Sequence, residues 1–293
     1  MAYSKFDNQP VYVGAPDSTG AQAVSNANQR LVAATQVQFN YAPAISNVPV
    51  LGKRSNKDNL LPAGPPDVSV SFSALLERNG DGGALGTEFN PFDYTGEQGK
   101  GCRISIGHQA NGIVLTGCYL TNLSLSVSPY APISYNADFV CYGVPNKGSA
   151  PIGEAEGGTI AGVDNDDLTP AATITGTAHG IYSMFSGGSI DQATEFESIN
   201  YTYSAVYTPV YQIGKFTPQV FFTSATQTLQ VQTDDIAGIT PLTGKGVSPT
   251  VQIRNSKNLL KAIEFDALLN GESASVSAGD VARASLNIVQ PLK

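Results

Sequence analysis

The chain has 293 residues, enough for one large domain or two modest ones at roughly 100–200 residues each, and either could bury its own core. Charged residues are 14% of the chain, well under the usual share of about a quarter, Gly (30) and Pro (18) are frequent, and the apolar fraction is an ordinary 41%. That excludes coiled coil, collagen and charge-rich disorder, and a net charge of −8 argues against a surface built to grip phosphates.

No run approaches the roughly 18 apolar residues that span a bilayer, and the opening MAYSKFDNQP lacks the apolar core of a signal peptide. The sequence therefore reads as soluble, with no membrane partner and no export by the general secretory route. Cys102, Cys118 and Cys141 are odd in number and lack C-x-x-C spacing, so they read as reduced, structural thiols. His108 and His179 are far apart in sequence, which leaves no zinc-ligand spacing.

In chain order, the first 20 residues read as an arm. The next segment, 21–34, is the one expected helix, because Val24, Ala27 and Leu31 recur at helical spacing behind a cap near Ser18 or Ser25. Short alternating runs then predict half-buried strands at 37–41, 67–72, 113–120, 123–127, 139–142, 199–203, 220–223, 228–232 and 285–289, separated by Gly, Pro and Asn turns. Between them, roughly 146–190 is rich in Gly, Ala, Thr and acids such as Glu154, Glu156, Asp164, Asp166 and Asp167, and reads as a linker or extended arm.

The chain also repeats itself. Residues 37–45 and 48–53 align without a gap on 199–207 and 210–215, sharing an aromatic-x-Tyr strand and an apolar-Gly-Lys turn that ends in Lys53 and Lys215. In the same order, Val68, Val70 and Phe72 correspond to the strand of Leu229 and Val231, and 118–128 corresponds to 267–277. The closing strands, 136–142 and 285–289, match more weakly. The repeat also decides 258–269 (NLLKAIEFDALL): its helix formers conflict with its strand-like partner 113–120, and strand is the expectation for both.

Sequence patterns with chemical meaning have simpler explanations. Glu77, Asn79, Asp81, Gly82 and Glu88 fall at calcium-loop positions, but Glu replaces the usual first Asp, a strand precedes the run, and Asn-Gly-Asp-Gly-Gly is hairpin-tip sequence. Gly99-Lys100 and Gly244-Lys245 lack the rest of a phosphate loop. There is no Gly-x-Ser-x-Gly elbow, and no carboxylate is positioned to orient either His. Asp166-Asp167 and Asp234-Asp235 read as solvated turn acids, because adjacent strand residues face opposite ways and no Trp supplies a sugar platform. Thirteen Tyr and twelve Phe are not interleaved with Lys or Arg, so they suit cores and subunit contacts better than base stacking. No catalytic, cofactor-binding or metal residue is expected, and an enzyme is the least favoured class.

At the duplicated strand-Gly-Lys block, followed by PPDVSVSFS at 65–73 and GALG at 83–86, the sequence resembles the tail tube proteins of tailed bacteriophages. The resemblance covers about 36–143 and 198–291, and the second copy has a shorter middle with no counterpart of the Gly/Asn-rich tip at 79–86. It implies a mainly β chain of two tandem β-sandwich or partial-barrel domains with little helix, joined by a long Gly/Thr/acidic linker. The boundaries would be 1–35 for the arm and helix, 36–145 for the first domain, 146–190 for the linker and 191–293 for the second.

It further implies homo-oligomeric rings, trimeric and pseudo-hexameric, stacked into a filament of the virion tail assembled in the host cytoplasm. Partners would be other tail and head-to-tail joining proteins, with DNA passing unbound through a lumen whose acidic wall repels phosphates. Lys53 and Lys215 are the expected subunit or ring contacts. Competing expectations are a ring at a tail end (terminator, distal or connector protein) and, in another class, a capsid decoration or receptor-binding β protein.

Overall fold

A computed structural model describes residues 10–14, 29–47, 60–62, 64–78, 89, 91–95, 101–107, 112–128, 131–143, 145–147, 159–160, 171–178, 189–193, 197–213, 215, 217–233, 245–254, 259–264, 267–275 and 283–292. These residues are mainly β. The first half carries β1 (Val11–Gly14), β2 (Gln29–Val32), β3 (Ala34–Ala42), β4 (Ile45–Asn47), β5 (Leu60–Pro62), β6 (Asp67–Leu75) and β7 (Glu77–Arg78). A 3-10 turn at Pro91–Tyr94 follows, then β8 (Gly101–Ile106), β9 (Ile113–Val127), β10 (Ser134–Cys141) and β11 (Asn146–Lys147). After β12 (Thr159–Ile160) come β13 (Ala171–Ala178), β14 (Ser189–Ala193), β15 (Ser198–Val210), β16 (Gln219–Thr233), β17 (Lys245–Arg254), β18 (Leu259–Glu264), β19 (Ala267–Ser275) and β20 (Arg283–Leu292).

Sixteen of the strands form one open antiparallel sheet in the order β14-β13-β17-β19-β20-β16-β15-β9-β10-β6-β3, with β1, β2, β8, β11 and β18 joined off that path. Two separate two-stranded antiparallel pairs, β4–β5 and β7–β12, stand apart. On the first side of the sheet the order is β2-β1-β8-β9-β10-β6-β3, and on the second it is β14-β13-β17-β19-β20-β16-β15.

The registers run in parallel as well. Tyr12 pairs with Leu31 and Ser105, and Ile174 pairs with Ala193 and Val251. Val37 pairs with Phe72 as Ile199 pairs with Val231. β9 and β10 slip by one residue beside Thr121, and β19 and β20 slip by one beside Asn270. The two sides meet where β15 pairs with the second half of β9, from Ile199 opposite Val127 to Ser204 opposite Asn122.

Alternation explains why these segments are strands. In β6 the residues Val68, Val70, Phe72 and Ala74 are buried while the serines between them are half-exposed, and β15 and β10 alternate in the same way. The buried faces form one core, capped by Phe89, Phe92 and Tyr94 around the 3-10 turn. Phe72 meets Phe89 at 5.8 Å and Phe139 at 5.6 Å between ring centroids. The Tyr94 hydroxyl donates to the Gly14 carbonyl at 2.6 Å and ties the turn to β1.

Several sequence expectations change. The expected helix at 21–34 is overturned over its last turns, because Gln29–Val32 is strand β2 paired to β1 and the chain continues as β3 from Ala34; residues 21–28 lie outside the described residues. Its apolar spacing counts Leu31, but Val32 is the residue with 4% exposure, so cross-strand pairing decides the backbone here. Runs read separately at 113–120 and 123–127 are the single strand β9, and 220–223 and 228–232 are the single strand β16. Residues 259–264 and 267–275 are strand, as expected. Within 146–190, β13 lies in the main sheet against β17, so part of the segment read as linker or arm is sheet.

Candidate functional site

The face of the central sheet opposite the core is its most distinctive surface. Residues directly paired in an antiparallel sheet share a face. One rung therefore runs Gln38, Ser71, Asp138, Asn122, Ser204, Thr226 across β3, β6, β10, β9, β15 and β16. The next runs Gln36, Ser73, Asn136, Ser124, Thr202, Thr228 over the same six strands. Six strands at the usual spacing make this face about 24 Å wide.

Side chains knit it laterally: Ser73 Oγ donates to Asn136 Oδ1 at 2.6 Å, and Asn136 Nδ2 donates to Ser124 Oγ at 3.3 Å. Both rungs contain only amides and hydroxyls apart from Asp138, with no Lys or Arg. Gln36, Gln38, Ser71, Ser73, Asn136 and Asp138 line a shallow open depression on it. Chemically the two rungs are exposed or half-exposed, carry one charge and offer no nucleophile hydrogen-bonded to a base.

Behind it the wall is stiffened by aromatics and by the joint between the two sides. Phe92 packs on Tyr201 at 5.4 Å and Tyr119 on Tyr207 at 5.0 Å, each contact crossing from the first half of the chain to the second. Tyr201 and Tyr203 are each 1% exposed, and burial, with the neighbouring Tyr203 phenol, pushes the Tyr201 hydroxyl well above its ordinary range. Its hydroxyl donates to Gln227 Oε1 at 3.2 Å. At the end of the joint, Arg283 Nε reaches both carboxylate oxygens of Glu197 at 2.9 Å.

The residues singled out in the sequence do not converge. Cys102, Cys118 and Cys141 fall opposite one another across β8, β9 and β10, all buried and unbridged. Burial pushes the Cys102 and Cys118 thiols well up, which suits inert core groups. Glu77 is strand in β7, while the rest of the calcium-like run, both His residues, Gly99-Lys100, the two Asp pairs and Lys53 lie outside the described residues. Lys245 begins β17. Lys215 is exposed in a turn, its amide donating to the Gln212 carbonyl at 3.1 Å beside a fully exposed Ile213.

Among the described residues no group of three or more His, Cys, Asp or Glu could hold a metal ion, and no helix is long and apolar enough to cross a membrane. Sequence reasoning missed the polar rungs, although the Ser, Asn and Gln at alternate positions of each strand were their signal. No protein-family model matches the chain, and no curated protein matches it significantly.

Proposed function

We propose that this chain is a structural subunit of a phage-type tail tube: two sister β modules in one polypeptide, three chains to a pseudo-hexameric ring, and rings stacked around a channel for genome DNA. The observation that carries the reading is the polar face, with one acid and no base on its two rungs, that continues from β3 to β16 across the joint between the halves. A protein wall holds DNA by placing Lys and Arg against phosphates and releasing counterions. The two rungs offer no such cation, so DNA beside them would be neither gripped nor strongly repelled. An acidic lumen was the expectation; here low adhesion would come from an absence of positive charge, with Asp138 the one acid on the rungs.

Duplication is supported by the matched strand orders and by the slip that recurs beside Thr121 and Asn270. In this reading each module begins at its hairpin, β1–β2 or β13–β14, so part of the 146–190 segment belongs to the second module. The role is structural rather than catalytic, with other copies of the chain, tail proteins and head-to-tail joining proteins as partners in the virion. Electron microscopy of the purified protein tests it. Hollow filaments are expected; isolated rings would favour a tail-end ring instead, and a chain that stays monomeric at high concentration would overturn both.

A further inference from the structure

We infer that neighbouring chains join by strand pairing of β3 from one copy onto the Gly271 to Ser275 edge of β19 in the next, in a register that the chain already displays internally. The internal joint is the template. It uses the side of β15 away from β16 and the second half of β9 on its side away from β10. The strand matching β15 is β3, which among the described residues pairs only with β6. The strand matching the second half of β9 is β19, where residues 271–275 pair only with β20 among the described residues.

One open edge is thus the counterpart of each side of the closed joint. Because the two edges differ, the contact is head-to-tail and propagates from chain to chain. Side-chain exposure agrees: Tyr203 is 1% exposed inside the joint, whereas its counterpart Tyr41 is 47% exposed. An edge that is unpaired among the described residues and lies next to an exposed aromatic is a liability in a lone molecule and is suited to burial against a second copy. Carrying the internal register across places Phe39 opposite Ala274, Asn40 opposite Ser273 and Tyr41 opposite Glu272.

This inference rests on the ring reading and adds the strands and the register. Its test is a double variant, Asn40→Cys with Ser273→Cys, assembled, oxidised and run on a non-reducing gel. Directly opposed antiparallel positions are within disulfide reach, at about 4.5–5.5 Å between Cα atoms. Thr202→Cys with Ser124→Cys places the same bridge at the internal joint as a positive control. Covalent dimers and trimers are expected from the first pair, and only a bridge within one chain from the control.

Amide exchange on the unmodified protein gives an independent readout. Residues 36–42 and 271–275 should gain at least tenfold protection together when chains assemble. Rings seen by microscopy with no covalent oligomers and no such protection would overturn the strand assignment while leaving the ring reading standing. A chain that never assembles would overturn both.

Discussion

Single side chains hold the first half together through a dense aromatic core. Phe72 is 2% exposed and contacts Phe89, Phe139 and Tyr135, so Phe72→Ala should cost about 3–5 kcal/mol of unfolding free energy, read as a lower urea midpoint. Gly143 is a backbone constraint: a Cβ there would lie 2.5 Å from the Thr116 carbonyl oxygen and also meet the Thr116 hydroxyl, and the Gly143 amide donates to that carbonyl at 3.0 Å. Gly143→Ala should destabilise the fold by about 1–3 kcal/mol, the usual cost of overpacking, while Gly64→Ala, which among the described residues meets Ala44 alone at 3.8 Å, should be close to neutral.

The buried acids make stability fall in alkali. Cys102 and Cys118, ordinarily near 9.0, and Tyr201 and Tyr207, ordinarily near 10.0, all have raised values in the folded chain, chiefly from burial. The unfolded chain therefore releases their protons first, and their stabilisation is full below pH 9 and lost as the pH rises beyond it. Each group should remove about 1.4 kcal/mol per pH unit above its unfolded value. Urea midpoints should hold from pH 8 to about 9 and fall from there to pH 10.5, and a profile flat throughout would contradict the burial of these groups.

At the scale of strands, the sequence was informative where alternation was strict and silent where pairing partners decide. VSVSFS in β6 and the Leu-Ser-Leu-Ser-Val end of β9 announced both their period and their buried face. Residues 29–34 misled because small and amide side chains permit either backbone, and the choice at Gln29–Val32 falls to its partner β1 rather than to a local signal. The polar rungs were legible strand by strand but not as rungs: each strand shows its own Ser, Asn or Gln, and only register lines up Gln38, Ser71 and Asp138. The rungs also predict function at this scale. Ser71→Lys with Ser204→Lys places two cations on exposed or half-exposed positions, so folding should be unchanged while binding of duplex DNA, expected to be negligible in the parent protein, should appear at low salt and vanish as salt rises. Equal DNA binding by parent and variant would remove the low-adhesion role from this face.

For the whole molecule, the account depends on two modules of one chain repeating a single interaction around a ring. In the proposed ring the internal joint would be one such step, and Phe92 against Tyr201 and Tyr119 against Tyr207 close the core behind its paired strands. A heterologous step that closes yields a ring, and one that does not close yields an open filament. Native mass spectrometry of the smallest assembled species distinguishes these directly. The account predicts a discrete complex of three 30.6 kDa chains. A monomer at every concentration, or a closed dimer with both edges consumed in a twofold contact, would contradict it.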